Sequence, residues 1–305
     1  MTLIEAILLT VITASTPLLI AAIGELVAER AGVLNLGVEG MMIMGAACGI
    51  AAAITTGSSA LGVLAAVAAG AAMAAVFAAL TLGLAANQVA TGLALAIFGT
   101  GLSGVIGASF VGVQREGIGK LAIPGLSELP VLGPLLFAQD PFVYASVALT
   151  AGVAWFLSRS RAGLVLRACG ESHAAAHALG YPVLRIRLLA SLFGGGCAGL
   201  AGAYLSLVLT PFWSSGMTGG RGWIALAIVV FASWRPWRAL AGAYLFGGVT
   251  ILQLHAQGMG ARVPPQLLAA LPYLVTVVAL VVIMRLRRGG AAGPASLGLP
   301  FVPDR

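Results

Sequence analysis

Few residues in this chain could do chemistry, and the most informative ones lie inside apolar runs. Asn35 and Glu39 sit one helical turn apart within such a run, flanked by Gly32, Gly37 and Gly40. A carboxylate in hydrocarbon is costly, so it turns toward a bundle interior, a water-filled cavity or a bonding partner. Glu39 therefore either lines a pathway or is a structural carboxylate bonded to hydroxyl or backbone groups of a neighbouring helix. The glycines weaken helical continuity, as in the broken helices that border membrane cavities. Asn87, Gln88 and Thr91 open another apolar run, where they either cap a helix or face the same pathway. Phe212, Trp213, Met217 and Thr218 cluster at the end of a further run. Aromatic residues at that depth usually anchor at the interface, with contact to an aromatic ligand as the sharper alternative for Trp213.

Other constellations carry less. His173 and His177 are four apart on one helix face, but no third metal ligand lies nearby, and two solvated histidines are the simpler reading. His255 stands near the end of an apolar run as an interfacial residue. Cys48, Cys169 and Cys197 are far apart and lack metal-ligand spacing, so they read as small packing residues. Gly194, Gly196 and Gly199 satisfy G-x-G-x-x-G, yet no strand precedes them. With Gly195 and Gly202 they read better as a surface for close helix–helix approach. The phosphate-loop pattern G-x-x-x-x-G-K-[ST] is missing, since Lys120 is followed by Leu121.

The elements that position these residues follow from composition. Of the 305 residues, 60% are hydrophobic and 8% charged, against roughly 25% charged in an ordinary soluble domain. A soluble fold has too little interior to hide that much apolar surface, whereas in a bilayer helices satisfy their own backbone groups. The expected fold is an all-α polytopic transmembrane bundle. With about 20 apolar residues per crossing, the runs fall at 3–23, 33–54, 60–84, 89–111, 141–157, 188–208, 223–234, 240–257 and 267–284. That gives about nine spans, eight to ten at the limits, with a broken helix near residues 32–52. The seventh run is short for a crossing. It either extends into 217–222 or is one half of a broken helix. Residues 1–288 form one transmembrane domain, and the small-residue, Pro-bearing stretch 289–305 is expected to be a disordered tail.

The net charge of +7 does not indicate nucleic-acid binding, because the basic residues form short clusters between apolar runs. Residues 158–187 carry Arg159, Arg161, Arg167, Arg185 and Arg187 against Glu171 alone. Arg235 and Arg238 form a second basic loop, and Arg285, Arg287 and Arg288 close the last run. The positive-inside rule places all three in the cytoplasm, residues 112–140 outside, and, over nine crossings, the N-terminus outside. The first run lacks a positive n-region and reads as a retained helix.

The cytoplasmic loop 158–187 contains a short helix, expected over 171–179. Glu171 suits its dipole, the Ala174–Ala176 run is good helix former, and Gly180 and Pro182 stop it. At about 1.5 Å per residue it is too short to cross a bilayer. An exposed short rod with small side chains makes sense as a knob for a partner's cleft, and an amphipathic linker is the bland alternative.

Residues 29–41, running from Glu29 through Asn35 and Glu39 to Met41, resemble the signature of ABC importer permeases of the nucleoside and simple-sugar branch. That branch belongs to the group holding ribose and branched-chain amino-acid permeases. Residues 87–95 and 216–226 resemble further blocks of it in the expected order. The resemblance implies alternating access, with Asn35, Glu39, Asn87, Gln88, Thr91 and Trp213 as candidate pathway residues. It likens Glu171, Ser172, Ala174, Ala175, Ala176 and Gly180 to the helix that couples a permease to its ATPase. It further implies ATP-binding subunits, a second and non-identical permease, and an extracytoplasmic substrate-binding lipoprotein. The chain itself would bind no cofactor, with ATP used by a partner in the cytoplasmic (inner) membrane complex. The alternatives are a secondary, ion-coupled transporter, for which only Glu39 is a candidate coupling residue, and a membrane enzyme, for which no catalytic cluster exists.

Overall fold

The computed structural model describes residues 3–258, residues 293–302 and a few positions between 270 and 281. Among these, ten α-helices follow one another: α1 (Leu3–Arg30), α2 (Val38–Thr56), α3 (Ser59–Ala78), α4 (Gln88–Gly107), α5 (Pro141–Arg159), α6 (Arg161–Glu171), α7 (His173–Ala178), α8 (Val183–Tyr204), α9 (Arg221–Ala232) and α10 (Pro236–Gly258). One-turn π segments extend α3 (Ala79–Gly83) and α8 (Leu205–Leu209). The sheet is one antiparallel pair, β1 (Leu121–Ala122) and β2 (Ala138–Gln139), with Leu121 opposite Gln139. Seven helices are long and apolar enough to cross a membrane: α1, α2, α3, α4, α5, α8 and α10. The ninth expected span, 267–284, lies for the most part outside the described residues.

Helix α1 is the axis of the bundle, packed against α8, α10, α9 and α5. Its stretch from Leu18 to Ala28 is buried throughout. Pro17 lies inside it and lacks an amide hydrogen, yet the helix continues. The hydroxyls of Thr13, Ser15 and Thr16 just before it donate to the carbonyls of Leu9, Val11 and Ile12, at 3.0, 2.6 and 2.9 Å, so these side chains are satisfied within the helix.

Helices α2, α3 and α8 form the tightest unit, and glycine makes it possible. A Cβ on Gly45 or Gly70 would collide with the backbone of Gly199, and one on Gly202 with the carbonyl of Met42. Lipid offers no hydrophobic drive between helices, so close backbone approach is what holds such a unit together. The G-x-G-x-x-G run is this packing surface.

The break expected near residues 32–52 lies at residues 31–37, which are irregular and mostly buried, and α2 runs unbroken after it. The short seventh run is the half-helix α9, about 18 Å long against a hydrocarbon core of about 30 Å. The expected helix over 171–179 is corrected in its bounds. Arg161–Glu171 is a helix of its own, Glu171 closes it, and α7 starts only at His173. Ser172 decides this, because its extended backbone interrupts the helix and its Oγ accepts from Ala175 N at 3.2 Å.

Arg30, Arg159, Arg167, Arg235 and Arg238 gather at one end of the bundle. Under the positive-inside rule this end faces the cytoplasm, which puts the start of α1 at the outer end. Residues 293–302 lie at the arginine-rich end rather than free of the bundle. Ser296 N donates to Gly170 O (2.8 Å), Gly298 N to Gly32 O (3.2 Å), and Phe301 packs on the rings of His173 and His177. At the outer end the 108–140 segment is tied to the chain after α8. Arg115 N donates to Pro211 O and Ile118 N to Leu207 O, while Arg115 Nη2 reaches Gly57 O.

Candidate functional site

The site is built where the irregular segment 31–37 meets the start of α9. Glu39 stands in the first turn of α2 and is 9% exposed. Its Oε1 accepts from Thr218 Oγ1 (2.5 Å) and Gly220 N (2.8 Å), and its Oε2 accepts from Gly222 N (2.7 Å). Those amides belong to the N-terminal end of α9, where helical N–H groups have no partner in the helix itself. A buried carboxylate answers both the unpaired donors and the positive end of the helix dipole. Gly220 precedes α9 in the left-handed conformation (φ 82°). A Cβ at Gly222 would lie 2.5 Å from Glu39 Cα, so only glycine lets the two chains meet here. The carboxylate thus fastens α2 to a half-helix whose start lies about 18 Å along α9 from the arginine-rich end.

Asn35 is buried and organises the loop before it. Its Oδ1 accepts from Gly37 N (2.9 Å), its own N–H donates to Glu25 Oε1 (3.2 Å), and Nδ2 meets Met41 Sδ (3.4 Å). Gln88, 3% exposed at the start of α4, holds the same loop by accepting from Leu34 N at 2.8 Å. Its Nε2 is buried without a hydrogen-bond partner among the described residues. Asn87 is the exposed N-cap of α4, with Oδ1 accepting from Ala90 N (3.0 Å). Thr91 is half-buried one turn later. Asn35, Glu39 and Gln88 are thereby brought into one polar seam between α1, α2, α4 and α9.

Trp213 stands apart from that seam. It is 1% exposed and pairs with Val111 in an isolated bridge at the outer end. Its indole lies against Gly107, where a Cβ would collide with the ring, and Nε1 has no partner among the described residues. An open cavity of about 370 Å³ lies beside it, lined by Gln114, Phe212, Ser214 and Ser215 among others.

The second candidate site is α7. Its N-cap is Ser172, and it ends at Gly180 in the left-handed conformation (φ 84°), with Gly180 N and Tyr181 N returning to His177 O and Ala176 O. Ala174 and Ala175 are exposed and Ala176 is buried, so α7 presents a small-residue ridge to the aqueous side. His173 and His177 are engaged by Phe301, and no group of three or more metal-ligating side chains occurs among the described residues.

Sequence reasoning missed the partners that hold both sites. Arg187, fully buried, donates to Ala31 O (3.1 Å), Leu299 O (2.9 Å) and Ser296 O (3.4 Å), tying segment 31–37, α8 and the C-terminal segment together. It reads in sequence as one more positive-inside arginine. Glu29 accepts from Trp234 Nε1 at 2.5 Å, and Arg30 donates to Trp234 O from Nε and Nη2. The one available signal was the run Gly219, Gly220, Gly222, whose density of glycine marks a close backbone approach.

Comparison with known proteins decides the family. The model of the branched-chain amino acid transport system / permease component family matches residues 7–284. The chain belongs to this family. A relative from Haloferax volcanii, provisionally named as a glucose ABC transporter permease protein, is 40% identical over 88% of this chain and 88% of its own. A nucleoside ABC transporter permease protein of Lactococcus lactis is 30% identical over 99% of this chain and 98% of its own. A guanosine ABC transporter permease protein of Bacillus subtilis is 30% identical over 95% and 94%. The permease is a transport subunit rather than an enzyme, a multi-pass protein of the cytoplasmic membrane that works with ATPase and substrate-binding partners.

Proposed function

We propose that the permease imports a solute built on a sugar ring, free or as a nucleoside, delivered by an extracytoplasmic binding lipoprotein. The observation that carries this reading is full-length similarity to permeases named for glucose, nucleoside and guanosine transport, which share that ring. ATP is used by the partner ATPase, and this chain binds no cofactor. A second, non-identical permease completes the pathway.

In this reading α7 is the coupling helix. Its exposed Ala174–Ala175 ridge, with Glu171 and Ser172 before it and Gly180 after it, enters the ATPase cleft and passes closure of the ATPases to α8 through Arg187. Glu39 and its seam hold α9 in register with α2, so that α9 moves as a unit when access alternates. Asn87, Thr91 and Trp213 border the route taken by the solute.

The test is uptake by the complete complex in proteoliposomes, with labelled glucose, ribose, guanosine, adenosine and leucine offered separately. ATP-dependent uptake of at least one sugar-ring solute, competed by its unlabelled form, is expected. Uptake confined to branched-chain amino acids would overturn the substrate class. Ala175→Trp should abolish uptake while the ATPase still hydrolyses ATP, and transport at the wild-type rate would remove α7 from the coupling role.

A further inference from the structure

One charged cavity at the arginine-rich end plays no part in the site described above. It has a volume of about 1040 Å³ and lies between the C-terminal halves of α1 and α5 and the start of α10. Arg30, Arg159, Arg167, Arg235 and Arg238 line it, and no carboxylate does. Five guanidiniums facing one cavity repel one another, and an anion between them removes that repulsion. Two acids border it without lining it. Glu29 is engaged by Trp234 Nε1, and Glu171 accepts from Ala295 N at 3.5 Å.

Three further features point to a phosphate group. The Nε of Arg167 is buried with no hydrogen-bond partner among the described residues. Arg30 is fixed by its two bonds to Trp234 O, so at least one guanidinium is pre-oriented. Helix α10 begins at Pro236, and the residues of its first turn line the cavity, which adds the positive end of its dipole. Arginine forks match phosphate oxygens in bidentate geometry.

The position of the cavity identifies the source of that phosphate. Its wall climbs α5 from Arg159 to Ala151, about 12 Å into a membrane-spanning helix. A soluble partner does not reach that depth. Trp155 and Trp237 are exposed on its two sides, as indoles are at the headgroup level of a bilayer. We infer that this cavity binds the phosphate headgroup of an anionic glycerophospholipid from the cytoplasmic leaflet, with Trp155 and the small residues of α5 against the start of its acyl chains. Basic pockets between transmembrane helices on this side suit such headgroups.

The experiment uses the full-length permease in its complex, purified in mild detergent and examined by native mass spectrometry during titration with phosphatidylglycerol, phosphatidylcholine or inorganic phosphate. Phosphatidylglycerol should be retained at least about 25-fold better than phosphatidylcholine. Arg235→Gln/Arg238→Gln and Arg159→Gln/Arg238→Gln change exposed positions that the fold tolerates. Each pair should weaken phosphatidylglycerol retention by about 25-fold, roughly fivefold per charge near an anionic surface. Arg161→Gln, outside the cavity, should leave it unchanged. Equal retention of the two lipids, or a preference unaffected by either pair, would overturn the inference. So would competition by inorganic phosphate as effective as that by the lipid, which would make this a free-phosphate site. Loss of the ATPase from the complex with lipid retention intact would assign the cavity to that subunit instead.

Discussion

At Glu39 a single carboxylate meets three donors at the entry to the half-helix α9. Glu39→Ala leaves two amides and a hydroxyl buried without partners, a cost of about 3 kcal/mol at roughly 1 kcal/mol or more per group. Glu39→Gln keeps the shape but turns an NH2 toward donors, so it removes the charge and at least one acceptor. We expect uptake to fall about tenfold in Glu39→Gln at normal membrane levels, and Glu39→Ala to melt at a clearly lower temperature. Uptake by Glu39→Gln at the wild-type rate would take the residue off the transport machinery and leave it a structural cap. Sequence alone left these two readings even, because a glutamate in an apolar run looks the same whether it faces water or amides. The three bonds decide its local role.

At the scale of elements, α7 and the C-terminal segment behave as one unit. His173 Nδ1 lies 3.3 Å from Arg187 Nη2, its backbone N–H donates to Ser296 Oγ, and its ring packs on Phe301. Burial, then the nearby Arg187 charge, holds its pKa below the usual histidine value. Glu171 from α6, His177 against the same Phe301 ring and the thiol of Cys169 are the other titratable groups in this corner, and burial pushes the thiol up. The folded pKa of His173 is lowered, so the docked state binds fewer protons than the undocked one. Docking is then complete above about pH 6.5, the ordinary histidine value, and weakens as pH falls through it. Hydrogen exchange of residues 293–302 should accelerate below that pH, after correction for intrinsic rates, and His173→Gln should remove the dependence. Exchange that is insensitive to pH in the wild type would show that the histidine does not govern docking. The composition of this segment, rich in Gly, Ala, Pro and Ser, reads as a free tail. What places it against the bundle is a set of backbone bonds to Gly32, Gly170 and Arg187, and backbone bonds leave no mark in sequence.

In the assembly proposed above, the whole molecule is one half of a pathway. Helix α4 turns Leu93, Ile97, Phe98 and Val105 outward, while Gly92 packs inward on the segment 31–37 and Ala96 and Gly99 on α2. Lipid accounts for exposed apolar residues on a membrane helix. Co-purification of the tagged permease in mild detergent should recover an ATP-binding subunit and a second, non-identical permease. A homo-oligomer lacking any ATPase, stable across detergents, would contradict the assembly proposed here.

The sequence by itself determined the membrane class, the approximate positions of the crossing helices, the arginine-rich end and the family. Each of these rests on composition, run length, arginine placement or a local motif, which are one-dimensional properties. It also located the short rod before Gly180, since cap and stop residues act within a few positions, though it merged that rod with the last residue of α6. Only the tertiary structure decided that Glu39 caps α9, that Gln88 and Glu25 hold the loop around Asn35, and that Arg187 joins three segments. These partners lie 10 to 183 positions apart in the chain. Their pairing depends on which helices the glycines allow to touch, a property of packed surfaces that residue order does not state.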